Sequence, residues 1–249
     1  MTTISGNCAR FAAVPLATGG TSAATWRSAA PLPTLDLDGC RTLVIVGAHP
    51  DDETLGLGGT AAHLAAHGVE VRLVSASDGG AAHPEASDAE QDQLAHVRRS
   101  ELDAAASTLG VGSPITFGLP DGRLAGHEDR LAALLTALLA ESGPGTWCAA
   151  TWRGDGHPDH EAVGRAAAVA AVATAVPLLE YPVWMWHWAL PDDPAVPWGR
   201  AFSVELPEQA VTAKLLAAQC FRSQFRASDP VLPAFVLPRL LSVGEVVLR

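Results

Sequence analysis

The feature that most constrains the fold is an alternation of short strand-like runs with longer helical segments, which begins at Thr42. This alternation is typical of a parallel sheet whose strands are joined by crossover helices. Strands are predicted at residues 43–48, 69–76, 115–119, 147–152 and 178–184. Helices are predicted at residues 53–67, 89–109, 128–141 and 158–174.

The remaining segments complete one domain. A strand is predicted at residues 202–206, a helix at 208–221 and a terminal strand at 243–248. Residues 1–35 show no periodic apolar pattern and are expected to form an irregular N-terminal extension, so the domain spans residues 36–249. We therefore expect a single α/β domain that is Rossmann-like, with a mostly parallel central sheet and helices on both faces. A chain of 249 residues that is 48% hydrophobic is large enough for such a core.

Composition excludes several partners. The formal net charge is −11 with only 16 Lys and Arg residues, which disfavours nucleic acid and anionic membranes because both are bound mainly by cationic side chains. The four cysteines are scattered without a CxxC pair, as expected for free thiols. No apolar run approaches the roughly 20 residues of a membrane span, and no secretory signal is visible. We expect a cytoplasmic protein; its oligomeric state stays open.

An unusual polar cluster follows the first predicted strand. The stretch VIVGAHPDDETLG, residues 44–56, passes from buried β-branched residues directly into a histidine, a proline and three acids. A dinucleotide-binding turn requires G-x-G-x-x-G, but His49 occupies the second glycine position and the acids would repel a phosphate. Acids alone would complement a helix dipole, yet that leaves the His-Pro unexplained. A bound metal ion accounts for both, since His49 and Asp52 are three residues apart and provide standard zinc ligands.

A second cluster repeats this arrangement after the fourth predicted strand. In WRGDGHPDHEAVG, residues 152–164, glycines open a turn and His157 and His160 begin a helix. Ligands in such folds bind beyond the carboxyl ends of the strands, so the two clusters are expected to meet in one crevice. Three protein ligands and a water at the fourth position would make a catalytic zinc site.

The two clusters resemble the signatures of the LmbE-like, or PIG-L, family of zinc-dependent N-acetylglucosaminyl deacetylases. AHPDDE at residues 48–53 and HPDH at residues 157–160 are both intact. Weaker similarities lie at residues 98–111, 119–122 and 221–224. The family includes deacetylases of glucosaminyl-inositol compounds, glycosylphosphatidylinositol precursors and antibiotic sugars.

The resemblance implies a role for each site residue. It implies metal ligation by His49, Asp52 and His160. It implies that Asp51 is the general base, that His157 stabilises the oxyanion or protonates the leaving amine, and that Asp159 orients the His157 ring. It further implies sugar contacts by Arg98 and Asp121. The metal is zinc by resemblance, while iron(II) stays open because histidine and carboxylate ligands suit both ions.

Two features depart from that pattern or add to it. Asp155 stands where some mycothiol-pathway relatives carry Tyr, and we expect it to bind substrate by holding the ammonium group that deacetylation releases. Trp184, Trp186 and Trp188 recur at period two, which in a strand places three indoles on one face. That face is interpreted either as core or subunit packing or as a platform for a sugar or aromatic glycoside.

The sequence thus predicts a zinc-dependent hydrolase that removes an N-acetyl group from an N-acetylglucosaminyl compound, with a small amino sugar as its partner. Two alternatives stay open: an amidase for a larger acyl or thiol conjugate of an amino sugar, and a non-catalytic sugar-binding domain. Asp51 separates catalysis from binding, because a binding domain needs no proton acceptor beside the metal. A metallophosphoesterase is disfavoured, since only one set of metal ligands is visible and the acids would repel phosphate.

Overall fold

A computed structural model describes residues 6–83, 85–226 and 230–249 of the chain. The strands are β1 (Thr42–Gly47), β2 (Glu70–Ser77), β3 (Ile115–Leu119), β4 (Thr146–Thr151), β5 (Leu178–Tyr181), β6 (Ala201–Val204) and β7 (Glu245–Leu248). The helices are α1 (Gly6–Ala12), α2 (Ala23–Arg27), α3 (Asp52–Ala66), α4 (Asp88–Leu109), α5 (Glu128–Glu141), α6 (Pro158–Thr174), α7 (Met185–Trp188), α8 (Glu208–Ala218), α9 (Arg222–Phe225) and α10 (Val236–Val243).

One sheet organises the described residues, with the strand order β3-β2-β1-β4-β5-β7-β6. Strands β1 to β5 are parallel, whereas β7 pairs antiparallel with both β5 and β6. The α/β fold with a mostly parallel sheet is therefore confirmed. From β1 the chain runs outward through β2 and β3, and it then returns to place β4 on the other side of β1. The carboxyl ends of β1 and β4 thus form the switch point at which ligands bind in sheets of this kind.

The sheet is covered on both faces, as its continuous apolar strands require. Side chains alternate along β1: Leu43 and Ile45 enter the core beneath α3 and α4, and Val44 and Val46 enter the core beneath α5 and α6. All four side chains are fully buried. Two cores that share one central strand hold the carboxyl end of β1 in a fixed position.

The Trp-rich segment corrects one prediction. The strand expected at residues 178–184 ends at Tyr181, because Pro182 lacks the N–H that would continue the ladder. Residues 185–188 form the short helix α7 instead of a strand, so the three indoles do not share one face. Trp186 and Trp188 are buried in a third apolar cluster. Of the interpretations above, core packing applies to these two residues.

The N-terminal segment contains two short helices where we expected irregular structure. Ser22 caps α2 by accepting a hydrogen bond from the Thr25 N–H at 3.1 Å. The segment packs onto α7, with the Trp26 and Trp186 rings edge to face at 4.9 Å between centroids. The Phe11 and Trp184 rings are 5.2 Å apart. Short helices of this kind lack the length over which an apolar period can be recognised.

Two further sequence expectations concern the chain as a whole. The four cysteines are free thiols. Among the helices of the described residues, none combines the length and the apolar character needed to cross a membrane.

One glycine allows α6 to approach the sheet closely. A Cβ atom at Gly164 would lie 2.5 Å from the Arg153 backbone nitrogen and 2.6 Å from the Thr151 carbonyl oxygen, closer than van der Waals contact allows. The Thr151 hydroxyl also donates to the His160 carbonyl oxygen at 3.1 Å. The first turns of α6 are therefore held directly against the end of β4.

Candidate metal centre and active-site cleft

The two His-Pro clusters lie at the carboxyl ends of β1 and β4, as the sequence predicts. The first forms the turn into α3, where Asp51 adopts φ +149°, a strained conformation for a residue other than glycine. The second forms the turn into α6, where His157 is the N-cap and Pro158 occupies the first helical turn. Because β1 and β4 are adjacent, the side chains of both turns converge.

Three side chains from these turns form a set that can hold a metal ion. Ligand atoms of His49, Asp52 and His160 all lie within 4.8 Å of one another. The His160 Nε2 is 3.2 Å from Asp52 Oδ1, and the His49 Nδ1 is 3.5 Å from Asp52 Oδ2. The buried His160 Nε2 has no hydrogen-bond partner among the described residues. Because this buried nitrogen makes no directed hydrogen bond and lies at ion-pair distance from a carboxylate, the donor set fits a divalent cation well.

Asp155 corrects a sequence expectation. It is fully buried behind His160, and its Oδ2 accepts a hydrogen bond from His160 Nδ1 at 2.8 Å. The same carboxylate accepts backbone N–H groups of Val183, Trp184 and Met185, each at 2.9 Å. We expected Asp155 to hold the ammonium group of the product, but its oxygens are already occupied and do not face the cleft.

Asp159 also differs from its expected role. Its two oxygens accept the Gly122 and Leu124 N–H groups at 2.7 and 3.0 Å. The nearest imidazole to its carboxylate is that of His49, whose Nε2 is 3.4 Å from Asp159 Oδ2. The His157 ring is instead contacted by the Asp159 backbone N–H, 3.3 Å from Nδ1. The resemblance implied that this carboxylate orients His157, but in the structure it is bound by the loop at residues 120–124.

Asp121 lies beside Asp159 at the His49 ring. The His49 Nε2 is 3.0 Å from Asp121 Oδ1, and Asp121 Oδ2 accepts the Ala81 N–H at 2.7 Å. His49, Asp121 and Asp159 form a second set with metal-binding spacing. Both carboxylates are engaged by backbone donors, so this arrangement is typical of carboxylates that orient a ligand histidine through its outer nitrogen.

Asp51 and Arg98 form a buried ion pair at the edge of the cleft. The guanidinium Nη2 lies 3.2 Å from Asp51 Oδ2. Arg98 also donates to the Gly79 and Pro50 carbonyl oxygens, each at 3.0 Å. Burial raises the pKa of Asp51 to about 7, although Arg98 opposes the rise. Arg98 thus directs its terminal nitrogens at Asp51 and at backbone, its buried Nε has no hydrogen-bond partner among the described residues, and the side chain lines the cleft.

The pKa values of His160 and His157 are shifted in opposite directions by their surroundings. Burial lowers the pKa of His160, but the neighbouring Asp52 and Asp155 outweigh it and raise the pKa to about 9. Burial and the charges of His160 and His49 lower the pKa of His157 to about 3. The His157 ring centroid lies 4.7 Å from that of His160 and 5.1 Å from that of His49.

The cleft above the metal-binding set has a volume of about 220 Å³. Asp51, Arg98 and Asp121 form its polar wall. Its apolar wall is formed by Leu55, Val183, Trp184, Val231 and Leu232. Of the three tryptophans singled out in the sequence, only Trp184 reaches the cleft. Gln224, in the segment at 221–224 noted for its similarity, lines the cleft as well, while Leu55 and Leu232 carried no recognisable signal.

The family profile described as PIG-L: GlcNAc-PI de-N-acetylase matches residues 44–171, just over half of the chain. The chain belongs to the PIG-L family. The match begins in β1 and ends in α6, so it includes both His-Pro clusters and every residue of the metal-binding set. The regions outside it are the N-terminal helices and the segment that follows α6.

Curated relatives match about two thirds of the chain. A 1D-myo-inositol 2-acetamido-2-deoxy-alpha-D-glucopyranoside deacetylase from Mycobacterium sp. (strain JLS) is 32% identical over 194 residues, which cover 67% of this chain and 60% of the relative. A protein of the same name from Mycobacteroides abscessus is 31% identical over 198 residues, covering 70% of this chain and 69% of the relative. The chain thus spans about 60% of the length of the first of these relatives.

Solved structures of other proteins share the fold. A deacetylase of the A40926 pseudoaglycone superposes with a TM-score of 0.60 at 23% identity, covering 80% of this chain and 89% of its own. A conserved protein from Thermus thermophilus superposes with a TM-score of 0.58 at 25% identity, covering 79% and 84%. These likenesses establish the α/β architecture described above.

Proposed function

We propose that this chain is a metal-dependent hydrolase that removes the N-acetyl group from an N-acetylglucosaminyl compound. The observation that carries the proposal is the buried His160 Nε2, which makes no directed hydrogen bond and lies within metal-ligand spacing of Asp52 and His49 at a cleft that Asp51 also lines. The names of the mycobacterial relatives support an acetylated glucosaminyl substrate. The partner is a small amino-sugar molecule.

His49, Asp52 and His160 would hold the metal, and zinc is the ion that we propose because two imidazoles and one carboxylate suit it. Bound there, zinc would acidify water and polarise the amide carbonyl. The carboxylates at the outer nitrogens of both histidines keep the inner nitrogens available for ligation. Iron(II) has similar ligand preferences and is the alternative ion.

We propose that Asp51 acts as the general base. It lines the cleft directly beside the ligand Asp52, yet it is paired with Arg98 and is outside the metal-binding set. A carboxylate with a pKa near neutrality accepts a proton from the attacking water and later releases it efficiently.

His157, the N-cap of α6, lines the cleft together with Arg98. Its imidazole would donate a hydrogen bond to the oxygen that becomes negative as water adds to the amide carbon, or give a proton to the departing amine. Either role requires the ring to carry a proton during turnover, and the approach of an anionic oxygen favours that form.

The cleft supports a substrate with two unlike sides. Asp121, whose side chain is partly exposed in the cleft, provides an acceptor for a sugar hydroxyl, and Trp184 with Leu55 provides an apolar surface for a ring face or a substituent. That apolar wall also favours the second candidate, an amidase that removes an acyl group larger than acetyl. The two candidates share the metal and the base and differ only in the acyl group released.

The test is a reaction of the zinc-loaded protein with a neutral inositol glycoside and an aryl glycoside of N-acetylglucosamine. Acetate and free amine are measured together, with Asp51→Asn as the matched inactive control. Equimolar acetate and amine are expected. Release of butyrate from an N-butyryl analogue that is faster than release of acetate from the N-acetyl compound would favour the amidase. Binding without release of either product would overturn catalysis and favour a sugar-binding domain.

A further inference from the structure

Four hydrogen-bond donors converge on the carboxylate of Asp155. The His160 Nδ1 and the Trp184 N–H approach Oδ2 at 2.8 and 2.9 Å. The N–H groups of Val183 and Met185 approach Oδ1, each at 2.9 Å. Asp155 has no solvent exposure. A buried carboxylate with both oxygens doubly engaged has a fixed orientation, and so do the groups that donate to it.

One of these contacts fixes the tautomer of His160. An ionised carboxylate can only accept, so the Nδ1 must carry the hydrogen that it donates to Asp155. In the neutral ring the Nε2 then has a free lone pair. That Nε2 is the buried atom with no hydrogen-bond partner, 3.2 Å from Asp52 Oδ1. Asp155 therefore prepares His160 for ligation at Nε2.

The other three contacts fix a wall of the cleft. Val183 and Trp184 line it, and their N–H groups both bind Asp155. The Asp155 carbonyl oxygen accepts the Trp188 Nε1–H at 2.7 Å, which ties the far end of α7 to the same residue. Among the described residues, no other carboxylate accepts hydrogen bonds both from a histidine of the metal-binding set and from the backbone of Val183 and Trp184.

We propose that Asp155 is a positioning residue that couples metal ligation by His160 to the placement of the Val183–Trp184 wall. The inference rests on the proposed function for its context and adds a link within the same site. Coupling through one carboxylate is reciprocal: a bound metal holds the wall, and an ordered wall favours metal binding. A residue that only capped the turn into α7 would affect folding stability without affecting metal affinity.

The first experiment compares Asp155→Asn with Asp193→Asn as a matched control. Asp193 is also buried and accepts a backbone N–H, that of Ala195 at 2.9 Å, and it pairs with Arg10 rather than with a histidine. In Asp155→Asn, an amide oriented to keep the Val183 and Met185 bonds turns its NH₂ towards His160 and favours the wrong ring tautomer. We expect zinc affinity, measured by competition with a chelating dye, to fall about 10- to 100-fold. Asp193→Asn should lower the melting temperature with unchanged zinc affinity.

Wild-type zinc affinity in folded Asp155→Asn would overturn the proposal. A second measurement on the wild-type protein keeps it testable if that variant does not fold. Nitrogen-15 NMR of the zinc-loaded protein should show His160 protonated at Nδ1, and hydrogen exchange at the amides of Val183, Trp184 and Met185 should be slower with zinc than without. A protonated Nε2, or exchange that zinc leaves unchanged, would overturn it. These measurements need no substrate, so inactivity toward acetylated sugars would count against the proposed function alone.

Discussion

The guanidinium of Arg98 lies 3.2 Å from the carboxylate of Asp51, and both side chains are almost completely buried. The cation lowers the pKa of Asp51, while burial and the neighbouring Asp52 raise it, and the result is about 7. Removing the cation therefore raises the pKa of Asp51. Since the base acts in its ionised form, Arg98→Met should move the acidic limb of the kcat/KM profile to higher pH.

The control for that shift is Arg99→Met. Arg99 neighbours Arg98 on α4, but it is partly exposed and pairs with Asp78 at 2.7 Å instead of with Asp51. The kcat/KM against pH profile of Arg99→Met should match that of the wild type. An acidic limb that stays in place in Arg98→Met would show that Asp51 does not control it.

Asp51→Asn tests the base directly. The change preserves size and removes the proton acceptor, so kcat should fall by roughly 10²-fold or more while zinc remains bound. Metal content and turnover are measured on the same preparation. Loss of zinc would make Asp51 a ligand and direct the search for the base to Glu53, which is fully buried beside it.

His160→Ala tests the metal-binding set. The wild-type protein should hold about one divalent ion per chain, and the variant should lose it because two of three protein ligands cannot retain zinc. Metal analysis after dialysis decides the matter, with His63→Ala as the control on the outer part of α3. Stoichiometric zinc in His160→Ala would refute the ligand assignment.

The two walls of the cleft predict substrate preference. A neutral glycoside of N-acetylglucosamine should react faster than its phosphate ester, because a unit charge 4 Å from a carboxylate is disfavoured by roughly 4 kcal/mol at an effective dielectric of 20. Trp184→Ala should raise the KM of an aryl glycoside more than that of the free sugar. Trp198→Ala, outside the cleft, is the control. Faster reaction of the phosphate ester would contradict the electrostatic argument.

A buried ion pair away from the cleft predicts a stability effect. The Glu245 carboxylate accepts hydrogen bonds from the Lys214 ammonium and from the Gly59 and Thr60 N–H groups, each at 2.8 Å. Glu245→Gln leaves Lys214 buried without a counter-charge and should lower the free energy of unfolding by about 3–5 kcal/mol. Glu70→Gln, which breaks an exposed pair with Arg72, should lower it by less than about 1 kcal/mol. Urea unfolding measures both, and equal losses would contradict the prediction.

The sequence was informative wherever a local pattern determines structure. Apolar runs at residues 43–48 and 147–152 predicted β1 and β4 to within one residue, and the His-Pro clusters after them predicted which side chains would meet. Parallel strands place their carboxyl ends on one edge, so topology alone brings His49 and His160 together. The strand pattern and the two motifs therefore predicted where a metal would bind, and the family resemblance selected His49, Asp52 and His160 as its ligands.

The sequence was uninformative where contacts between distant residues decide structure. Asp155 binds backbone groups 28 to 30 residues away, which no motif encodes. The Trp184–Trp188 stretch misled because nearly every side chain in it is buried, and a pattern without an exposed face has no readable period. The Asp159 carboxylate accepts two N–H groups of the loop after β3 instead of contacting the His157 ring, and no local pattern predicts that contact.

The close approach of α6 to β4 at Gly164 has a consequence for how related sequences are interpreted. Gly164 lies one turn of helix after His160, and any larger residue there would push α6 away from the Thr151 carbonyl oxygen. His160 would move with it and lose its distance to Asp52. A homologue that keeps AHPDDE and HPDH but has a bulky residue at this position is therefore expected to be a degenerate copy without metal, so this glycine should help to distinguish working enzymes from inactive paralogues in genome surveys.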